Sequence, residues 1–354
     1  MKISFILPGS GRSGGIKSTV KAANGLIQRG HQVRLLVHKG YETTWDWLRD
    51  VYISVRYPGS NDWLYLFEGK VERFKRIEQC RFEDNEIVIA SCWWASGEIR
   101  RLQNPRIIKV HHMRGIPNSP ERTRLYFGEN IPKIGVGSFI NDPLEQACGQ
   151  RILAVIPNGI DTTEYYPSLP EEQRDGIGTI YGHNWYKDPD TIIAFLDRMR
   201  TDRPDVPQYI FSANRRPKAI PRLIYHRLPS LERIRDLYSR SLVWVLASRS
   251  EGFPAPVLEA MCCGCAVVAT DCGGPRDIIT DGENGFLVET CNVNQIVDRV
   301  KLLLDDQTLR KRFVEESRKT VAKFTWDNSV KKLEEVLASL SSNKGGKTKD
   351  QPSV

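Results

Sequence analysis

The stretch "SRSEGFPAPVLEAMCCGCAVVATDCGGPRDIITDGENGFLV" (residues 248–288) carries the most informative pattern of the chain. Glu251 and Glu259 stand eight residues apart, and Pro254 marks the expected start of a helix that carries Glu259. Carboxylates suit sugar hydroxyls, whereas the backbone amides of Gly252 and Phe253 at a helix N-terminus suit a diphosphate. One such element could bind a nucleotide sugar along its length, although a capping Glu followed by a solvated helical Glu would have the same spacing.

Outward from this stretch, apolar strand patterns alternate with helical sequence. They include "IGTIYG", "QYIFSA" and "LVWVLAS" before it, and "KISFILP", "HQVRLLVHK", "EIVIAS" and "RIIKVHH" in the first half. This alternation predicts an α/β protein with two doubly wound parallel sheets, which bind ligands at the carboxyl ends of their strands. We expect a first domain over 1–160, a polar linker, a second domain over 176–325, a helix over 326–340 and a disordered tail over 341–354.

The glycine-rich loop in "FILPGSGRSGGIKS" (5–18) fits two phosphate-binding patterns imperfectly. Its glycines spell the dinucleotide pattern G-x-G-x-x-G, but the second strand ends at His38 and Lys39, where an acid would bind the ribose. A P-loop fails because Ile16 replaces its second glycine. Gly14 and Gly15 can still bring the backbone close to a phosphate at a helix N-terminus.

Composition limits the partners. The 354 residues carry a net charge of +8, with the basic surplus in the first 150 residues and the tail. This surplus suits a phosphorylated substrate or peripheral contact with an acidic membrane, and it is too dilute to indicate nucleic acid. No apolar run approaches the roughly 20 residues that span a bilayer, so we expect a cytoplasmic protein with its eight cysteines reduced.

The sequence of residues 248–288 resembles the E-x7-E element of retaining glycosyltransferases of family 4, which have the GT-B fold. The resemblance extends to the Gly14–Gly15 loop, "RGHQV" (29–33), "VIPNGID" (155–161), the Lys187 region and "FTWDNSVKKLEEVL" (324–337). It implies two Rossmann-like domains facing a cleft, with the C-terminal helix returning to the first domain.

The resemblance also implies roles for individual residues. Glu251 would contact the transferred sugar as a catalytic residue, and Glu259 would hold the nucleotide ribose. Gly14 and Gly15 would face the donor diphosphate, to which Lys187 would also bind.

The chain departs from the family at one position of this donor site. The family commonly places an Arg and then a Lys after the first strand of the second domain, and here His183 stands where the Arg is expected. Arg215 or Arg216 is an alternative source of the missing charge.

Asp188 and Asp190 spell D-x-D, the metal-binding signature of the other large class of glycosyltransferases. With Pro189 between them they also form an N-cap, a first helical residue and an acid that complements the helix dipole. We favour capping and expect no metal and no cofactor, since the nucleotide sugar is itself a substrate.

Two positions of the first domain are candidates on the acceptor side. "KVHHMRG" (109–115) ends a strand, and His111 matches a histidine that the family often places near the reacting sugar, with His112 as the alternative. Trp93 and Trp94 could stack on an acceptor sugar or fill the core, which we prefer.

The sequence therefore predicts a retaining glycosyltransferase that moves a sugar from a nucleotide-diphosphate sugar to a hydroxyl acceptor in polysaccharide or glycoconjugate synthesis. A nucleotide-sugar epimerase of the same fold and a non-catalytic binding partner are the alternatives. The presence of both Glu251 and Glu259 argues against a non-catalytic binding partner. The residue pattern of "EGFPAPVLEAM" argues against an epimerase.

Overall fold

The computed structural model describes residues 1–11, 13–39, 52, 55 and 62–346. They divide into two compact units: one holds the described residues of 1–39, 62–159 and 326–346, and the other holds residues 52 and 55 together with Ile160–Thr325. Of the predicted disordered tail, residues 347–354 lie outside the described residues.

A parallel sheet of seven described strands forms the centre of the first unit. The strands are β1 (Lys2–Leu7), β2 (Gln32–His38), β3 (Lys70–Phe74), β4 (Ile87–Ala90), β5 (Ile108–Met113), β6 (Lys133–Gly135) and β7 (Ala154–Val155). Their order is β3-β2-β1-β4-β5-β6-β7, and every pair is parallel. The order reverses between β1 and β4, which is where ligands bind to doubly wound sheets.

The helices of this unit start and end at residues that suit their positions. They are α1 (Gly14–Gln28), α2 (Trp93–Arg101), α3 (Pro120–Phe127) and α4 (Asn141–Cys148). Ser13 caps α1 by accepting from the amide of Ile16, and Ser119 caps α3 with Pro120 behind it. Gly149 ends α4 in the left-handed conformation, which glycine adopts without strain.

The second unit repeats this design with six described strands. They are β8 (Gly176–Ile180), β9 (Gln208–Ser212), β10 (Tyr225–Arg227), β11 (Ser241–Leu246), β12 (Ala266–Thr270) and β13 (Phe286–Val288). The order is β10-β9-β8-β11-β12-β13, again parallel throughout, and it reverses between β8 and β11. The helices are α5 (Pro189–Asp202), α6 (Leu231–Arg240), α7 (Ala255–Cys262), α8 (Val293–Asp305) and α9 (Gln307–Val321).

The last helix, α10 (Trp326–Gly346), belongs to the first unit although it follows the second in sequence. Val330, Leu333 and Leu337 recur at helical spacing and are buried with residues of α1 and β1, and Val336 is partly buried beside them. The chain thus returns to the first unit, as the resemblance implies. The helix continues past residue 340 into the expected tail and ends at Gly346.

The polar stretch predicted as a linker packs onto the second unit, which begins at Ile160 and not at residue 176. Tyr165 is buried in the core of this unit, and Arg174 donates a hydrogen bond to the carbonyl of Cys263. The polar composition of this stretch did not predict the packing, because one buried aromatic ring and hydrogen bonds to backbone carbonyls attach the stretch to the unit. The predicted fold class, two doubly wound parallel sheets, is confirmed.

Candidate functional site

A cluster of charged and polar side chains in the second unit lies where the strand order of its sheet reverses. Lys187 ends a 3₁₀ turn that follows β8, and Glu251 follows β11, the neighbouring strand. The Nζ of Lys187 lies 2.5 Å from Oε1 of Glu251, and the hydroxyl of Ser248 donates to the same oxygen at 2.7 Å. The topology therefore brings together a cation and a carboxylate that the sequence separates.

The backbone of Glu251 is held by the turn after β12. Its amide donates to the carbonyl of Cys272 at 3.2 Å, and its carbonyl accepts from the amide of Gly274 at 2.9 Å. A Cβ atom on Gly274 would lie 2.4 Å from the carbonyl oxygen of Gly252, so only glycine allows this approach. The glycine pair at 273 and 274 is a site feature that the sequence analysis missed.

Lys187 stays charged beside Glu251. Burial lowers the pKa of the ammonium group, but the charge of Glu251 and its hydrogen bond outweigh burial, and the pKa of Lys187 is raised overall. The cluster is thus an ion pair at the carboxyl ends of β8 and β11, in which a charged ammonium group lies next to a carboxylate that accepts hydrogen bonds.

Glu259 lies on α7, which begins at Ala255 as the position of Pro254 predicted. The buried Tyr238 donates to its Oε2 atom at 2.8 Å, and Tyr165 forms a further hydrogen bond to the same carboxylate. The side chain of Glu259 is half-buried, so it is not a fully solvated helical residue. Both tyrosines lie far from Glu259 along the chain and in no recognisable pattern, so the sequence gives no signal for them.

Gly252 and Phe253 connect Glu251 to α7. The Phe253 ring packs against Phe324 with 5.8 Å between centroids, and this contact fixes the segment on the core of the second unit. The predicted roles of the two backbone amides at a diphosphate stay predictions.

Asp188 takes the N-cap position of α5, with Pro189 in the first turn and Asp190 as its acid. Its carboxylate, however, makes no capping hydrogen bond to the helix backbone. It is buried and accepts from Arg249 at 2.9 Å and from the hydroxyl of Thr191 at 2.8 Å. Among the described residues no group of three metal-ligating side chains comes together.

His183 is exposed after β8, where its Nδ1 atom lies 3.1 Å from the hydroxyl of Tyr181. Of the two arginines considered in its place, Arg216 donates to the carbonyls of Pro217 and Ile220 in its own loop, and Arg215 is exposed. In the part of the chain that the structure describes, neither arginine hydrogen-bonds to Glu251 beside Lys187.

In the first unit, Gly14 and Gly15 form the first turn of α1, at the carboxyl end of β1. Arg114, the residue directly after β5, reaches the second turn of this helix and hydrogen-bonds to Ser18 and Thr19. Arg114 was not predicted as a site residue, although it stands in the same "HHMRG" segment as the two histidines.

His111 and His112 are both buried, with 1% and 3% of their surfaces exposed. Burial, with Lys133, Arg100 and Lys109 nearby, lowers the pKa of His111 to about 3. Burial and the charge of Arg114 lower the pKa of His112 well below its usual value. Both rings are neutral at physiological pH, and the catalytic role of His111 stays a prediction.

Trp93 and Trp94 have different environments. Trp94 packs with the first unit's core and edge-on to His38, whereas Trp93 is 54% exposed and lies against Tyr126. The core assignment is therefore wrong for Trp93, because the first turn of α2 directs adjacent side chains to different faces.

Comparison with known proteins identifies the segment that holds the two glutamates: residues 223–320 match the family Glycosyl transferases group 1. This chain carries a glycosyl transferases group 1 domain. The domain includes Glu251, Glu259 and the Gly274 turn, and Lys187 precedes it.

Two relatives and one solved structure extend the comparison. The chain is 33% identical over 112 residues to an uncharacterised glycosyltransferase of Methanocaldococcus jannaschii, an alignment that covers 32% of each protein. It is 24% identical over 311 residues to D-inositol 3-phosphate glycosyltransferase of Xylanimonas cellulosilytica, covering 74% of each. The structure of Anabaena HepE in complex with UDP and glucose matches with a TM-score of 0.75 and 17% identity, over 96% of this chain and 100% of that chain.

These matches show that the group 1 domain lies in a chain with the GT-B fold, built from two Rossmann-like units. The first alignment spans about a third of the relative's length. In the described part of the chain, none of the helices combines the length and the apolar character that crossing a bilayer requires.

Proposed function

We propose that this protein transfers a sugar from a nucleotide-diphosphate sugar to a hydroxyl acceptor with retention of the anomeric configuration. The observation that carries the proposal is the Lys187–Glu251 pair at the strand-order reversal of the second unit. It is supported by the group 1 domain and by the solved complex of HepE with UDP and glucose.

Each member of the cluster suits one part of such a donor. Lys187 supplies a positive charge for the diphosphate, whose negative charge grows as the glycosidic bond breaks. Glu251, as an ionised acceptor, suits the hydroxyls of the transferred sugar, and Glu259 suits the hydroxyls of the ribose.

Retention is proposed from the resemblance to retaining glycosyltransferases of family 4. Because Glu251 is bonded to Lys187 and Ser248, it is a poor nucleophile in that state, and the proposed route is front-face attack without a covalent intermediate on Glu251. The acceptor oxygen attacks the anomeric carbon on the face that the phosphate leaves. The bond between the anomeric carbon and the phosphate oxygen breaks, and a bond between the anomeric carbon and the acceptor oxygen forms. The proton of the acceptor hydroxyl passes to the leaving phosphate. No carboxylate takes part as a covalent intermediate.

The proposal is tested by incubating the protein with UDP-, GDP- and ADP-sugars, with and without acceptors. The acceptors are an inositol phosphate, a polyol and a polyprenyl-diphosphate sugar. We expect acceptor-dependent release of nucleoside diphosphate and a product with the anomeric configuration of the donor, measured by NMR. An inverted product would exclude retention, and an epimerised donor formed without an acceptor would support the isomerase instead.

A variant of Glu251 tests whether the activity depends on the Lys187–Glu251 pair. Glu251→Gln keeps the shape of the side chain and removes its charge, and we expect kcat/KM to fall by about a hundredfold or more. Glu283→Gln, in a turn of the same domain, is the control and should retain activity.

We further propose that transfer needs no metal ion, because the Asp188 carboxylate is occupied by Arg249 and Thr191. EDTA should leave the rate within about twofold of the untreated enzyme, since the fixed charge of Lys187 takes the role of a cation. Loss of activity that Mg²⁺ or Mn²⁺ restores would contradict this.

Cytoplasmic location stays a proposal from the lack of a long apolar run in the sequence. Peripheral contact with an acidic membrane stays a proposal from the net charge of +8. Co-sedimentation with vesicles containing phosphatidylserine, compared with neutral vesicles, tests the contact. Binding that disappears at high salt is the expected result.

A further inference from the structure

Arg114 connects three segments of the first unit. One terminal nitrogen donates to the hydroxyl of Ser18 and to Oδ1 of Asn158, the latter at 3.2 Å. The other donates to the hydroxyl of Thr19 at 2.9 Å. The guanidinium group thus joins the end of β5, the second turn of α1 and the "IPNG" segment that contains Asn158.

The two hydroxyls continue this network to the glycine turn. Ser18 donates to the carbonyl of Gly14 at 2.9 Å and lies 3.2 Å from that of Gly15. Thr19 donates to the carbonyl of Gly15 at 2.8 Å. Each hydroxyl accepts from Arg114 and donates to a glycine, so the arginine supports the shape of the turn that Gly14 and Gly15 form.

The charge of Arg114 has no carboxylate partner among the residues that the structure describes. Its terminal nitrogens donate to the neutral oxygens of Ser18, Thr19 and Asn158, and its Nε atom is buried without a hydrogen bond. Burial lowers the pKa of Arg114 to about 10, so the group is still charged at neutral pH.

This cation lies at the positive end of the α1 dipole. A positive charge at a helix N-terminus is unfavourable by itself, whereas an anion bound there would interact favourably with both the dipole and the guanidinium. Two features of Arg114 therefore point to an anionic ligand at Gly14 and Gly15: its half-buried charge has no carboxylate partner among the described residues, and its hydroxyl network supports the turn.

We propose that Arg114 is a positioning residue for recognition of the diphosphate of a nucleotide sugar at the Gly14–Gly15 turn, an inference that rests on the proposed function. It acts through Ser18 and Thr19, which hold the turn, and through its positive charge. It needs no direct contact with the phosphates.

The test is the affinity of the full-length protein for UDP, GDP and ADP and for the corresponding nucleosides, measured by isothermal titration calorimetry. Arg114→Gln should weaken binding of the diphosphate by about tenfold or more, because a charge and two charge-assisted donors are lost. Binding of the nucleoside should change by less than about twofold, because it carries no charge for the turn to recognise.

The control for net charge is Arg106→Gln. Arg106 is an exposed arginine of the same unit that pairs with Asp84, and its loss should leave both affinities unchanged. Arg114→Lys keeps the charge and loses the paired donors, and we expect an intermediate loss that is again specific to the diphosphate.

Equal losses for diphosphate and nucleoside would show a merely structural role and overturn the inference, as would unchanged affinity in folded Arg114→Gln. If Arg114→Gln does not fold, Arg114→Lys provides the test. A larger loss of affinity for the diphosphate than for the nucleoside supports the inference, and equal losses overturn it. Wild-type protein that binds none of the diphosphates would overturn the proposed function together with this inference. Wild-type binding that Arg114→Gln matches would overturn this inference alone.

Discussion

Two buried phenols determine what Glu259 can do. Burial, and then the charge of Glu259, raise the pKa values of Tyr165 and Tyr238 well above that of free tyrosine. Both hydroxyls are therefore protonated at physiological pH and donate to the carboxylate. An ionised carboxylate offers about four acceptor positions, so Glu259 can accept hydrogen bonds from a ribose at the same time.

Glu259→Ala should weaken binding of the nucleoside diphosphate by about tenfold while the protein remains folded, because charged hydrogen bonds to the ribose are lost. The unfolding free energy should fall by about 1–3 kcal/mol, since two buried hydroxyls lose their partner. Calorimetric titration and urea unfolding measure the two effects.

Glu315→Ala removes an exposed carboxylate on α9 and serves as the control, with both quantities unchanged. A 2′-deoxynucleotide should bind the wild type less tightly than the ribonucleotide does. In Glu259→Ala the two nucleotides should bind with about equal affinity. Unchanged affinity in folded Glu259→Ala would remove the ribose assignment.

At the scale of elements, α1 and α10 pack closely because Gly25 has no side chain. A Cβ atom at this position would lie 2.6 Å from Cγ2 and 3.2 Å from Cγ1 of Val330, whose side chain is buried and has little freedom to move. The close approach is reinforced by Arg29 at the C-terminal end of α1, which pairs with Asp327 and Glu334.

Gly25→Ala should lower the unfolding free energy by about 1–3 kcal/mol, because the overlap with Val330 outweighs the gain in helix propensity. Gly97→Ala, at a helical glycine of α2 with open space where the Cβ atom would lie, should be neutral or slightly stabilising. Urea unfolding of both variants makes the comparison.

A second substitution isolates the contact. Val330→Ala removes the two methyl groups that the Cβ atom introduced by Gly25→Ala would meet. The loss in the double variant should therefore be smaller than the sum of the single losses. Additive losses would show that the helices separate for another reason.

At the scale of the whole molecule, the neutral histidines of β5 link stability to pH. Their pKa values are lower in the folded state than in the unfolded chain, so the unfolded state binds more protons as the pH falls. Their contribution is complete above the unfolded value of about 6.5 and is lost progressively toward the folded value, which is about 3 for His111.

The unfolding free energy should therefore fall below about pH 6, by up to about 1.4 kcal/mol per pH unit for each histidine. Replacing both histidines by Leu should flatten this dependence between about pH 6 and pH 4, and it removes no hydrogen bond, since both rings lack partners among the described residues. Urea unfolding across this range is the measurement, and an equal slope in the variant would contradict the assignment.

The sequence alone was sufficient for the fold class, and the resemblance of residues 248–288 to family 4 glycosyltransferases named the candidate donor-site residues of the second unit. Alternating apolar runs require parallel sheets covered by helices, and the spacing of Glu251, Glu259 and Pro254 reflects local helix geometry. These features depend on neighbours in sequence, so they can be read without a structure. The buried stripe of α10 was predictable for the same reason.

Contacts between distant segments were decided only by the tertiary structure. Lys187 and Glu251 are 64 residues apart and meet because β8 and β11 are neighbours at the reversal of strand order. Likewise, Arg114 reaches Ser18 across 96 residues because β5 and α1 pack in the same unit, and His111 is buried there with the Phe127 ring against it. Chain order does not specify which side chains meet after folding, because burial and charge pairing are properties of the packed molecule.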